Sequence, residues 1–258
     1  MTGRLEGKVA LVTGASRGIG EAIARRLGAD GARVALTARH EESCRRIAEE
    51  IASAGGEAIG LVCDVTDSRS IAAAVATVVA KWRRIDVLVN NAGIGGPTPL
   101  SDPDDSRWDA IIATNLTAVF RMTRAALPHV SDGGRILNMS SVLGRFGVPE
   151  YGAYAAAKHG VIGLTRCFAL ELAARAITVN AMCPGWVETE MGRSSWTRVA
   201  ERHGGGEAEG RELAAKMAPL GRVVQPEEVA GLASYLASEE ARSITGQAIV
   251  LDGGQVMP

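Results

Sequence analysis

Short, nearly uninterrupted apolar runs alternate with longer amphipathic ones along the whole chain, and no other feature narrows the possible folds as far. KVALVT precedes a helical pattern from Gly18 to about Gly28, ARVALTA one from Glu41 to about Ala54, and AIGLVCD one that ends near Trp82. DVLVNNA leads into a pattern near Ser106 to Leu127 and GRILNMSS into one near Tyr151 to Ala174, while AITVNAMCP and QAIVLDGG add two further strand signals. A strand with one wet face alternates polar and apolar residues. These do not, so both faces are covered, as in a parallel sheet flanked by helices. The expectation is a doubly wound α/β fold of seven strands, with ligands bound beyond their carboxyl ends. A chain of 258 residues suits one such domain, spanning 1–258.

One segment breaks the rhythm. From about Glu188 to Leu220 there are glycines at 204 to 206 and no strand pattern. A connection of that length is either a surface loop without order or a lid, and Trp196, Met191 and Met217, read as exposed, favour a substrate lid over 188–220. Charge limits the partners: a formal net charge of -1 gives no electrostatic reason to expect nucleic acid or an anionic membrane. The apolar stretches fall short of the roughly 20 residues of a membrane span, and MTGRLEGKVA has no apolar signal core, so a soluble cytoplasmic protein is expected. Cys44, Cys63, Cys167 and Cys183 form no CxxC pair and read as reduced core thiols. No His/Cys cluster offers three metal ligands.

TGASRGIG follows the first strand signal directly and opens the first helix. Gly14 allows the tight turn, Gly18 lets the backbone approach a pyrophosphate, Gly20 permits close packing, and the helix N-terminus offers free N–H donors. With its strand-turn-helix placement, the motif reads as a dinucleotide site. Where a site preferring NAD places an acidic residue for the ribose hydroxyls, LTARH has none; Arg39 stands there, with Arg17 inside the glycine turn. Two guanidiniums so placed suit a 2′-phosphate, which favours NADP(H). NAD(H) stays open, because solvated surface arginines near Glu41 read the same way.

YGAYAAAKHG carries two tyrosines and one lysine, all on one helical face. Tyr154 and Lys158 are four residues apart, with Cβ atoms about 5 to 6 Å from each other. Tyr151 lies about 10.5 Å along the axis from Lys158, outside its immediate field, and reads as an aromatic of the substrate pocket or of the helix start.

Together, TGASRGIG, NNAG at 90 to 93, Asn115, the serines at 140 and 141, YAAAK at 154 to 158, PGWVET at 184 to 189 and DGG at 252 to 254 resemble the short-chain dehydrogenase/reductase family in its single-domain branch, over essentially the whole chain. The resemblance implies a Rossmann fold and a catalytic set of Asn115, Ser141, Tyr154 and Lys158. Lys158, with the positive nicotinamide, would draw the Tyr154 phenol down from near 10. Tyr154 would protonate a carbonyl oxygen as hydride arrives, Ser141 would hold that oxygen, and Asn115 would hold a water linking Lys158 to solvent. Cofactor contacts are implied at Gly14, Ser16, Arg17, Gly18, Ile19, Gly20 and Arg39, at Asp64 and Val65 beside the adenine, and at Asn91 and Gly93 beside the adenosine ribose. Pro184, Val187 and Thr189 would meet the carboxamide and diphosphate, with Tyr154 and Lys158 also touching the cofactor. Val187 fits an ordinary core valine as well.

ARHEE, CPGWVETEM and VVQPEEVA make the chain most similar to 3-oxoacyl thioester reductases and aromatic polyketide ketoreductases. It reads IGGPTP where the polyketide enzymes carry Pro-Gly-Gly, which speaks against a polycyclic substrate. Ser141, Leu143, Tyr151, Tyr154 and Trp186 are expected at the substrate, with Gly95, Gly96, Phe146, Met191 and Trp196 as further lining suited to a hydrophobic ketone or acyl chain. Arg193, Arg198 and Arg202 on the lid either meet a phosphate of a carrier protein or coenzyme A, or are exposed arginines without that role. The leading expectation is NADPH-dependent reduction of a 3-oxoacyl thioester or related ketone. Its alternative is NAD-dependent oxidation of a cyclic or aryl carbinol, and the intact Asn-Ser-Tyr-Lys set opposes a non-catalytic dinucleotide sensor. Relatives associate through the helices near 106–127 and 151–174, so the resemblance implies a homotetramer.

Overall fold

The computed structural model describes residues 3–257. Its strands are β1 Val9–Thr13, β2 Arg33–Ala38, β3 Glu57–Val62, β4 Ile85–Asn90, β5 Val130–Met139, β6 Thr178–Pro184 and β7 Ala248–Leu251, all parallel in one sheet of order β3-β2-β1-β4-β5-β6-β7. The helices are α1 Gly18–Ala29, α2 Glu41–Ser53, α3 Ser68–Trp82, α4 Ser106–Ile112, α5 Ala118–Ala126, α6 Gly152–Glu171, α7 Glu190–Glu201, α8 Glu207–Met217 and α9 Pro226–Ala237. Strand order reverses between β1 and β4, which opens a crevice beyond their carboxyl ends.

Alternate residues of each central strand serve opposite cores. Ala10 and Val12 of β1, Val34 and Leu36 of β2, and Val87 and Val89 of β4 pack with α1, α2 and α9. Val9, Leu11, Ala35 and Leu88 pack with α3, α5 and the end of α6 on the other face. Every residue of β1 and β4 is buried, which is why these runs carry no polar alternation.

Four sequence expectations change. The helix expected over 106–127 is interrupted by a π turn at Ala113–Thr117, where the Ala118 N–H reaches back to the Ala113 carbonyl, and this turn buries Asn115 at 1% exposure. The segment 188–220 is neither a disordered loop nor featureless: it forms α7 and α8. Thr189 Oγ1 caps the first by accepting from Gly192 N at 3.1 Å, and Glu209 Oε2 secures the second by accepting from Gly206 N at 2.9 Å. Trp196 is not exposed but buried at 1%, since with Ala214 and Val223 it forms the core that holds α7 on α8. Cys167 is exposed, whereas Cys44, Cys63 and Cys183 are buried thiols as expected.

The helix α9 has no counterpart in the periodicity reading. Its signals are Pro226 in the first turn and Glu228, whose carboxylate accepts from Gln225 N at 2.8 Å. No helix among the described residues is long and apolar enough to cross a membrane.

Candidate active site

The glycine turn is packed at backbone distance. Gly14 has φ +63°, and a Cβ there would lie 2.7 Å from Ala92 Cα; one on Gly20 would lie 2.2 Å from Gly14 O and 2.4 Å from Asn91 Nδ2. Asn91 Nδ2 donates to Thr13 O and Gly14 O, each at 3.0 Å, while Thr13 Oγ1 accepts from Asn91 N and Ala92 N. The Asn91 amide, expected beside the adenosine ribose, is therefore committed to holding the turn. Thr13 does the same from the strand side, a role the motif reading missed.

Ahead of α1 the backbone is extended at Arg17, and the first helical N–H groups have no intrahelical acceptor. Ser16, Gly18 and Ile19 border this cradle half-buried. A turn with no Cβ at Gly14, Gly18 and Gly20, followed by the unpaired first N–H groups of α1, fits the diphosphate of a dinucleotide.

Arg39 stands exposed after β2 with no hydrogen-bond or ion-pair partner among the described residues. Asp64 nearby is held below the usual carboxylate range, chiefly by the Thr66 hydroxyl and N–H at 2.7 and 2.8 Å, with the Arg39 charge assisting. Val65 beside it is buried at 7%. Arg17, expected to be free for a phosphate, instead forms an ion pair with Glu190 at the start of α7.

At the ends of β5 and α6 the expected catalytic side chains meet. Ser140 Oγ donates to Lys158 O at 2.9 Å, a structural tie, which leaves Ser141 as the serine beside Tyr154. Ser141 Oγ accepts from Leu143 N at 3.2 Å. Lys158 is 4% exposed; its Nζ donates to Met139 O at 2.7 Å and lies 5.5 Å from the Tyr154 ring centroid. Asn115 Oδ1 accepts from Ile94 N at 2.9 Å and its Nδ2 donates to Ile94 O at 2.8 Å. A Cβ on Gly93 would lie 3.3 Å from Asn115 Oδ1 and 3.8 Å from Lys158 Nζ, so Gly93 is where the loop after β4 slips past both.

The electrostatics of the protein's own groups are distinct from those expected with a nicotinamide bound. Burial pushes the Tyr154 phenol up to about 12, with Tyr151 adding to the rise and Ser141 opposing it, and burial pushes Lys158 down to about 8. The protein's own groups therefore do not bring the phenol toward neutrality. The lysine sits over the ring with its ammonium on the Met139 carbonyl, and desolvation is the largest influence on the phenol. The Asn115 carboxamide bonds the Ile94 backbone at both ends, with its oxygen and Lys158 Nζ both near Gly93.

On the substrate side, a Cβ on Gly95 would lie 3.4 Å from Met191 Sδ and 4.0 Å from Tyr154 Cε2, so the lid methionine faces the tyrosine across Gly95. Arg107 Nη2 fixes that loop by donating to Gly95 O at 2.6 Å, a clamp with no local sequence signal. Leu143 and Phe146 are half-buried just beyond Ser141. Tyr151 precedes α6, and its hydroxyl accepts from Arg198 Nη1 at 3.3 Å. Trp186 is half-buried and packs against the core of α7 and α8, with its ring centroid 6.4 Å from that of Trp196.

Pro184 is buried at the end of β6, and Val187, 5% exposed and bridged to Val224, is a core valine. Thr189 meets the glycine turn, 3.2 Å from where a Gly18 Cβ would be. The lid arginines are engaged: Arg193 with Glu188 at 3.0 Å, Arg202 with Glu150, Arg198 with Tyr151.

A glycine-rich diphosphate cradle at the switch point of a parallel sheet, beside a Ser-Tyr-Lys cluster whose serine and lysine are buried, defines a dinucleotide-binding α/β enzyme. The family model described as enoyl-(acyl carrier protein) reductase matches residues 14–255. The monensin polyketide synthase putative ketoacyl reductase of Streptomyces virginiae is 47% identical over 256 residues, covering 96% of each chain. The 3-oxoacyl-[acyl-carrier-protein] reductase FabG of Thermotoga maritima is 42% identical, covering 98% of this chain and all of its own length. Among solved structures, a variant of the actinorhodin polyketide ketoreductase with NADPH superposes with a TM-score of 0.92 at 44% identity, covering 99% of both chains. The chain belongs to the short-chain dehydrogenase/reductase family of oxidoreductases.

Proposed function

We propose that the protein is a cytoplasmic NADPH-dependent ketoreductase that reduces a 3-oxoacyl thioester or a related hydrophobic ketone. The observation that carries this reading is the half-buried Tyr154 phenol beside Ser141 at the carboxyl end of β5, with buried Lys158 behind the ring and the diphosphate cradle adjacent. Two hydroxyl donors converging on one point suit a carbonyl oxygen. NADPH, when bound, supplies the hydride that the carbonyl carbon takes up.

At neutral pH a phenol near 12 carries its proton, so Tyr154 is poised to donate it to the carbonyl oxygen. Ser141 donates a hydrogen bond to the same oxygen and fixes its position. Lys158, near 8, exchanges protons close to the operating range and restores the one Tyr154 gives up. Asn115 acts at one remove, holding the Ile94 backbone so that Gly93 and Gly95 stay against Lys158 and Tyr154. Arg39 and Arg17 are the groups that would meet a 2′-phosphate. The segment 188–220 closes over the substrate, with Met191 toward Tyr154.

The relatives named as ketoacyl and 3-oxoacyl reductases, and the solved relative that holds NADPH, support the substrate class and the cofactor. Association as a homotetramer is part of the proposal. The test is oxidation of NADPH and of NADH at matched concentrations, with a 3-oxoacyl thioester and with a bicyclic ketone. Preference for NADPH and the thioester supports the reading. Preference for NADH, or turnover of the cyclic ketone alone, replaces it with an alcohol dehydrogenase.

A further inference from the structure

Glu190 is the first residue of α7, and its carboxylate pairs with the Arg17 guanidinium of the glycine turn. Stability does not account for the pair, because the two side chains are 71% and 69% exposed and an ion pair so wet contributes little. The root of the lid is seated at the same place, with Thr189 Cγ2 3.2 Å from where a Gly18 Cβ would be. After the adjacent strand β2, Arg39 has no partner among the described residues, and the nearby Asp64 carboxylate is occupied by Thr66. A 2′-phosphate arriving there meets one free guanidinium and one already held by a carboxylate. Phosphate and carboxylate oxygens compete for the same N–H donors of an arginine.

We infer that Glu190 is a specificity-determining residue: it competes with the cofactor's 2′-phosphate for Arg17 and so lowers the preference for NADPH over NADH. The inference rests on the NADP(H) reading above. NADH, lacking the phosphate, leaves the Arg17–Glu190 pair intact; NADPH must separate it to engage both arginines.

Direct binding of NADPH and of NADH to the full chain, by calorimetry or protein fluorescence, tests this in four forms: wild type, Glu190→Gln, Arg17→Gln and the double variant. Freeing Arg17 from an exposed pair is expected to tighten NADPH about two- to five-fold. NADH binding should stay unchanged, and the effect should vanish when Arg17 is absent. An unchanged NADPH affinity in Glu190→Gln overturns the competition. So does an equal gain for both cofactors, or a gain that persists without Arg17, since a long-range charge effect on the diphosphate would do either. Arg39→Ala keeps the two readings apart. Loss of NADPH preference in Arg39→Ala, with no effect of Glu190→Gln, leaves the NADP(H) reading standing and removes this inference; a wild type that binds NADH as tightly as NADPH removes both.

Discussion

Tyr154 and Lys158 occupy one desolvated pocket, and it moves their protonation in opposite directions, the phenol to about 12 and the ammonium to about 8. For Lys158 the sign of the linkage follows from the unshifted value of 10.5. Between about pH 8 and 10.5 the unfolded chain holds a proton that the folded protein has released, so stability rises with pH through that window. Below it, folding carries the full penalty of burying the ammonium. Urea unfolding of wild type and Lys158→Met at pH 7 and at pH 9.5 reads this directly. The difference, wild type minus variant, should shift in favour of the wild type at the higher pH; a difference that stays constant, or moves the other way, means Lys158 keeps its ordinary protonation in the fold. Which tyrosine pairs with the lysine was legible from spacing alone. The burial that decides the direction of both shifts was not, because it is created by Met139, Gly93 and Asn115, which are remote in sequence.

Glycines separate elements that touch from those that do not. In α1, an added Gly20 Cβ would meet Gly14 O of the backbone and the Asn91 side-chain amide, itself held by Thr13 O and Gly14 O, at distances no side chain tolerates. Gly20→Ala should lower stability by about 1–3 kcal/mol through overpacking and weaken cofactor binding with it, because the strain falls on the cradle. In α9, Gly231 has only Arg26 Nη1, at 3.9 Å, near an added Cβ. Gly231→Ala should therefore stabilise by about 0.5–1 kcal/mol, the helix propensity difference, with cofactor affinity unchanged. Thermal unfolding of both variants, with and without NADPH, checks the pair, and a stable Gly20→Ala that binds normally would contradict the packing described for the turn.

The strand runs, the glycine turn and the seven-strand sheet were readable because their periodicity and spacing are local. The π turn was not, since α4 and α5 on either side of it are too short for the phase shift of one inserted residue, about 100°, to stand out. The lid helices were missed because three consecutive glycines obscured two capped segments. Arg107, Arg17–Glu190 and Tyr151–Arg198 are long-range pairings that spacing cannot reveal.

For the molecule as a whole, the two cores fix the sheet, and the sheet in turn aims three things into one crevice: the turn after β1, the serines after β5 and the root of the lid after β6. The segment 188–220, proposed as the lid, is fastened by Arg17–Glu190 at the glycine turn and by Arg198 and Arg202 to Tyr151 and Glu150 beside α6. On the proposed function, substrate enters between elements already positioned by the fold, and the chemistry falls to Tyr154 and its neighbours. The measurement that tests this most directly is NADPH oxidation with a 3-oxoacyl thioester by wild type and by Tyr154→Phe, alongside the NADPH affinity of each. Removing the proton donor should reduce kcat by about 10²- to 10⁴-fold with cofactor affinity unchanged. A Tyr154→Phe enzyme that turns over at near wild-type rate would contradict the assignment of the phenol as the acid.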